Sequence, residues 1–411
     1  MAHADEMLSL LMARKPKHTL PQPLYNDPDL YQVDLEMIFY RDWLLAGPTC
    51  EIPKAGAYLT VQVGAYSVVV VRGADRKIRA FHNVCRHRGS RLCTAERGSA
   101  PKLVCPYHQW TYELDGRLLW ARDMGEDFDL AANGLKPVQC RIAGGLIFIC
   151  LAEHPPAFDA LAEIAETYFA PYEMDTLKVA HSNSIVEQAN WKLVMENNRE
   201  CYHCAGTHPS LSVSFSDSPH IGGDGSGVGD PMIVDHHKRC EAAGLPAKLQ
   251  LAPNEQWRFL RVPLLGEAVS YTSDGGQAVE QLIGRMPFRN SGSLMFFHFP
   301  TSWNHFLSDC ITTFRLLPLS PQETLVTTRW LVNKDAVEGV DYDVERLTEV
   351  WTQTNNEDRA IVEENQRGVN SPAYEPGPYS ELQESGVIQF VDWYASTMIS
   401  RLTGRAMIAA E

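Results

Sequence analysis

The sequence contains no run of 18 or more apolar residues, so a membrane-spanning helix of ordinary length is not expected. Positive charge is also scarce. Against 51 Asp and Glu stand 36 Lys and Arg, a net charge of −15, which disfavours nucleic acid or an anionic membrane as a partner. The N-terminal MAHADEMLSLLMARKPKH places acids ahead of a short apolar stretch, the wrong order for an export signal, so a cytoplasmic location is expected. Ten cysteines in 411 residues are too few for a disulfide scaffold, and reduced thiols, buried or metal-bound, are expected. No G-x-G-x-x-G follows a strand, no C-x4-C-x2-C spacing occurs, and no repeat or low-complexity tract is present. A dinucleotide-binding fingerprint and a plant-type iron–sulfur module are therefore not expected in this sequence. What remains is globular in composition, 45% hydrophobic and 21% charged, and long enough for two domains.

The texture changes along the chain. PDLYQVDLEMIFYR (28–41) repeats apolar positions at helical spacing behind the N-caps Asn26 and Asp27. From about Trp43 to Leu151, runs such as AYLTVQV, YSVVVVR and GGLIFICLA alternate with Gly, Asp and Asn turns and predict an all-β region. EHPPAFDAL marks a boundary near residue 155. Beyond it, VAHSNSIVEQANW alternates like a strand and KLVMENNRECYHCA reads as a helix ending at Gly206. DSPHIGGDGSGVGD (217–230) reads as a loop, and strands are expected around 256–272, 293–300 and 310–332. Long helices should cover about 342–367 and 386–402. The class is α+β. The segments are 1–42, helical and packing on the last; 43–155, all-β; and 156–411, mixed.

CRHRGSRLCTAERGSAPKLVCPYH (85–108) holds two ligand pairs on loops of the β region, Cys85 with His87 and Cys105 with His108, with 17 residues between the pairs. Cys2His2 is also a common structural zinc set. The pairs equally permit a two-iron, two-sulfur cluster, one iron taking both cysteines and the other both histidines, the division that defines a Rieske centre. Cys93 lies outside the pattern. A second constellation is NWKLVMENNRECYHCAGTHPS, with His203 and His208 five apart. A straight helix would point them about 140° apart, so a break is needed for both to reach one ion. Two His and a carboxylate would make the facial triad of non-haem iron oxygenases.

NVCRHRGSRL and CPYHQWTYELDG resemble the two cluster-binding loops of Rieske oxygenases, and E-x2-H-x4-H follows about 95 residues later. Together these resemble the alpha subunit of the Rieske non-haem iron oxygenases. The resemblance implies an N-terminal Rieske domain and a C-terminal helix-grip catalytic domain, an antiparallel sheet with long helices. It implies a [2Fe–2S] cluster, a mononuclear Fe(II) and electrons from a separate NAD(P)H-dependent flavin/iron–sulfur reductase. In TQTNNEDRAIVEENQRG it points to Asp358 as the third iron ligand, with the neighbouring Glu357 as competitor. Glu200, three residues before His203, stands where many members carry an aspartate that bridges the Rieske histidine of one subunit to the iron histidine of the next. A head-to-tail homotrimer is implied with it.

ENNRECYHC, QRGVNSPAY, PGPYS and FVDWYA are similar to the quaternary-ammonium branch of that family, and similarity to its glycine betaine and proline betaine demethylases runs along nearly the whole chain. The implied reaction is oxygen-dependent N-demethylation by methyl hydroxylation, with release of formaldehyde. The alternative is a ring-hydroxylating dioxygenase acting on an aromatic acid. A quaternary ammonium has no N–H to donate and is held by aromatic faces. Candidates are Tyr202, Phe215, Trp257, Phe259, Tyr271, Phe297, Phe299 and Trp303, with Arg258, Asn304 or His305 for a carboxylate.

Overall fold

The computed structural model describes residues 2–218 and 230–408; the predicted loop 217–230 falls almost wholly outside them. The chain divides into two compact units, Phe39–Phe158 and the remainder, Met1–Ile38 with Asp159–Glu411. Among the described residues no helix is long and apolar enough to cross a membrane.

In the first unit an antiparallel sheet runs in the order 44–48, 146–150, 137–143, 78–82, 66–72, 57–63, 97–99, and a three-stranded sheet joins 103–104, 111–112 and 118–120. Val68–Val71 are buried without alternation, as in a strand covered on both faces. Val69, Val71, Phe81, Leu103, Trp110 and Tyr112 share one core with Cys85 and Cys105.

The second unit carries a seven-stranded antiparallel sheet ordered 177–187, 323–333, 311–320, 302–306, 293–298, 257–262, 250–251. Register decides what its faces carry. Phe297 pairs with Arg258 and Trp303, and His305 with Met295 and Thr312, so these residues share one face. Phe259 pairs with Phe296 on the other. The helix Val344–Val369 lies against the first face: Trp351 contacts His305 and Phe314, and Asn355 donates to Thr328 Oγ1 at 2.9 Å. Asp343 caps that helix through the Arg346 N–H.

Four expectations need correction. The strand expected over 256–272 is only Trp257–Val262, and Ser302–Phe306 is an additional strand. Residues 310–332 form a hairpin, Ile311–Ser320 and Glu323–Asn333, turning at Pro321, where no ladder N–H exists. The helix expected to reach Gly206 is two pieces, Trp191–Asn197 and Cys204–Thr207. The consecutive Asn197 and Asn198 explain the stop, since Asn198 turns its side chain back to the Val194 carbonyl at 2.9 Å. Last, not all cysteines are free: Cys201 and Cys204 are joined as a disulfide across the break.

Candidate active site

Two tight turns in the first unit follow one plan. Cys85 N–H donates to Ser90 O at 2.8 Å and Gly89 N–H to Cys85 O at 3.0 Å; Cys105 N–H donates to Trp110 O and Gln109 N–H to Cys105 O, both at 2.9 Å. The fourth residue after each cysteine takes a positive φ, +79° at Gly89 and +62° at Gln109. Behind the first turn, buried Asn83 accepts from the Leu92 and Cys93 N–H groups and donates to Cys93 O. Cys85 and Cys105 are buried, His108 is half-buried and His87 is exposed. The imidazoles lie 4.6 Å apart, with His87 stacked on Trp110 at 4.8 Å. Thiols inside and imidazoles outside match a cluster with one iron on each pair.

The Tyr112 hydroxyl accepts the Arg86 N–H at 3.0 Å and lies 3.3 Å from Cys85 Sγ, leaving its own hydrogen for sulfur. A donor to a cluster sulfur favours the more negative, reduced state. Tyr112→Phe is therefore expected to lower the cluster potential. A charge-assisted bond of about 1.5–3 kcal/mol sets the ceiling at roughly 60–130 mV for one electron. A redox titration of the visible spectrum reads it, and an unchanged potential would disconnect the hydroxyl from the cluster.

In the second unit the broken helix brings His203 and His208 together. His203 starts the short helix Cys204–Thr207 and His208 ends it. Their Nε2 atoms lie 3.1 Å apart, and Asp358 Oδ1 lies 3.2 Å from His203 Nε2 and 3.0 Å from His208 Nε2. Three neighbouring octahedral positions with bonds of about 2.1 Å are separated by about 3.0 Å, against about 3.4 Å in a tetrahedron. The triangle fits one face of an octahedral ion. Each imidazole turns its other nitrogen to a carboxylate, His203 Nδ1 to Glu200 at 2.6 Å and His208 Nδ1 to Glu357 at 2.8 Å. Glu200 also accepts the Tyr202 N–H. Glu357 thus supports a histidine from behind, while its neighbour Asp358 faces the triangle. Cys204 lies within 4.8 Å of the two histidines, but its sulfur is bonded to Cys201.

Burial alone would lower His203, yet its hydrogen bonds to the Asp358 and Glu200 carboxylates carry it up to about 9, and His208 is raised in the same way. Burial would raise Asp358, but the two histidines hold it below the usual carboxylate range. The pocket is an electronegative socket that attracts a cation.

Beside the triangle opens a cavity. Phe215, Phe297, Trp303 and His305 line it, as do Met295, Trp351, Leu211 and Arg199, which sequence reasoning did not single out. Trp351 was within reach of it, standing seven residues, two helical turns, before Asp358. Of the predicted substrate residues, Tyr202, Trp257, Phe259, Tyr271, Phe299, Arg258 and Asn304 are not among those that line it. Tyr202 is 62% exposed to solvent. Phe259 is buried on the opposite sheet face, stacked on Phe296 at 4.4 Å, and Trp257 packs against it there. Asn304 likewise points away, donating to Phe296 O at 3.0 Å. Burial holds His305 down at about 3, so it lines the cavity as a neutral ring and not as a cation.

Two family models match the chain: the Rieske [2Fe-2S] domain over residues 42–139 and the ring hydroxylating alpha subunit (catalytic domain) over 174–400. The glycine betaine monooxygenase oxygenase subunit of Chromohalobacter salexigens is 53% identical over 98% of this chain and 91% of its own. The subunit of that name from Pseudomonas aeruginosa is 52% identical over 96% and 92%. The crystal structure of the quaternary ammonium Rieske monooxygenase CntA with L-carnitine shares the fold at a TM-score of 0.71, covering 95% of this chain and 98% of that one at 23% identity. The chain belongs to the Rieske non-haem iron oxygenases as an alpha subunit, an oxidoreductase whose cofactors are a [2Fe–2S] cluster and a mononuclear iron.

Proposed function

We propose that the protein is the oxygenase component of a betaine N-demethylase, with glycine betaine as first candidate and proline betaine as second. The observation that carries this is the 52–53% identity to two glycine betaine monooxygenase subunits along nearly the whole chain. In the proposed reaction an N-methyl carbon takes one oxygen atom of O2, and the other leaves as water with two electrons and two protons. The N–CH2OH product then breaks its C–N bond, giving formaldehyde, a proton and the dimethylated amine. A separate NAD(P)H-dependent reductase supplies the electrons.

Cys85, Cys105, His87 and His108 would hold the cluster; His203, His208 and Asp358 would hold the iron. When bound, the cluster supplies single electrons and the iron supplies a centre for activating oxygen. The chain's own groups do the rest. Glu200 and Glu357 fix the imidazoles so that each Nε2 faces the ion. Trp303, Trp351 and Phe215 offer aromatic surface to a trimethylammonium group and exclude water from it. Glu200 also lines a second, open cleft with Glu196, Tyr379 and Glu384, so it is reachable from a side other than the aromatic one. That supports its role as bridge to a neighbouring subunit's Rieske histidine in a head-to-tail trimer.

Glu200→Gln keeps a hydrogen-bonding side chain and loses the charge. It is expected to retain both metals and to slow re-oxidation of the reduced cluster, with substrate and O2 present, by roughly 10–100-fold. Stopped-flow absorbance measures this; a normal rate would remove Glu200 from the path. The function itself is tested by pre-reducing the protein and adding O2 with glycine betaine, proline betaine, carnitine, choline or a benzoate. Formaldehyde from a betaine alone supports the proposal. A hydroxylated aromatic without formaldehyde would replace it with the ring-hydroxylating reading.

A further inference from the structure

Arg199 is the anomaly of the cavity wall. It is only 1% exposed, its Nη2 donates to Gln389 Oε1 at 2.9 Å, and its Nε and Nη1 have no hydrogen-bond partner among the described residues. Its guanidinium carbon sits 4.2 Å from the centre of the Phe297 ring, with that of Arg258 at 5.0 Å from the same ring. Phe297 and Arg199 both line the cavity that holds the histidine triangle. The acids of that lining, Glu200 and Asp358, are engaged on the histidines. Burial, and then repulsion from Arg258, press Arg199 well below the ordinary guanidinium range. A guanidinium stays charged nonetheless, so the strain calls for an anion, and a fork of N–H donors matches a carboxylate.

We propose that Arg199 binds the substrate's carboxylate, with Arg258 adding to the positive field, so that the cavity selects zwitterionic betaines over quaternary ammonium compounds lacking an acid. This rests on the reading of the protein as a betaine demethylase and adds the group that recognises the acid end. It also divides the cavity. The Phe297 ring is already stacked by the protein's own guanidinium, which leaves Trp303, Trp351 and Phe215 for the ammonium end. The sequence reading had placed Phe297 in the cage and the acid on Arg258, Asn304 or His305.

The test compares glycine betaine with its amide, carbamoylmethyl-trimethylammonium, a near-isostere without the negative charge. Formaldehyde formation gives kcat/KM for each, and calorimetric titration gives binding without turnover. The wild type is expected to favour the betaine by roughly a hundredfold, mainly in KM and Kd. In Arg199→Met, which keeps an unbranched chain against Phe297, the preference should fall below about fivefold, and Arg199→Lys should restore part of it. Equal use of both compounds by the wild type would overturn the proposal even if Arg199→Met fails to fold. So would an equal loss for both compounds in a folded Arg199→Met. Failure of both compounds to bind or react would instead refute the betaine reading on which the proposal stands.

Discussion

Asp358→Ala is expected to strip the mononuclear iron while sparing the cluster. Iron should fall from about three atoms per chain to about two, the Rieske colour should persist, and demethylation should drop by more than about 100-fold. The drop exceeds the 10–100-fold that a supporting residue costs because Asp358 contributes the one carboxylate oxygen of the triangle, 3.0 and 3.2 Å from the two imidazole nitrogens. Without it, two neutral donors remain and the negative charge that offsets a divalent ion is gone. The helix itself should survive, since alanine is the best helix former and position 358 lies mid-helix in Val344–Val369.

The adjacent acid supplies the control. Glu357 touches His208 Nδ1 and stays outside the triangle, so Glu357→Ala should loosen iron binding by 10–100-fold without abolishing it. Metal analysis after gel filtration reads both variants. Iron retained in Asp358→Ala but lost in Glu357→Ala would reverse the two assignments.

What the sequence could reveal followed from how local each signal is. The two cysteine–histidine turns were legible because both residues of a pair and the turn that carries them lie within six residues, Cys85–Ser90 and Cys105–Trp110. The long helices were legible because amphipathic periodicity accumulates over many turns. The break ahead of His203 was not, since ENNRECYHC satisfies helical composition and the stop depends on side chains returning to the backbone. The cavity was hardest. Trp257 and Phe259 are as aromatic as Trp303, but strand register puts them on the opposite sheet face, and one residue of register exchanges the two sets. Arg199 was invisible for the related reason that a buried cation without an anionic partner among the described residues is a property of surroundings brought from Phe297, Arg258 and Gln389.

Removing Lys192 or Asp34 should strongly destabilise the second unit. Asp34, in the N-terminal segment, is buried and accepts from Lys192 Nζ, from Trp191 Nε1 at 3.1 Å and from the Tyr394 hydroxyl at 2.6 Å. Lys192 is fully buried on the helix Trp191–Asn197, whose end leads into the loop of Glu200 and His203. Taking away one partner of such a pair leaves an uncompensated buried charge, about 3–5 kcal/mol. Asp34→Asn should therefore shift the guanidinium unfolding midpoint of this unit downward and loosen iron retention with it. The deficit should also depend on pH. Burial already holds Lys192 below its ordinary 10.5 despite the opposing pull of Asp34, and without that pull it falls further. Between the folded value and 10.5 the unfolded chain binds more protons, so stability rises with pH and the variant's deficit narrows as 10.5 is approached. A deficit independent of pH would mean that the hydrogen bond lost where the amide NH2 replaces a carboxylate oxygen, to Trp191 or Tyr394, and not the stranded ammonium, carries the cost. The double change Asp34→Leu with Lys192→Met separates the same two causes at neutral pH. It removes both charges, so recovery toward wild-type stability assigns the loss to the unpaired lysine, and no recovery assigns it to the orphaned donors of Trp191 and Tyr394.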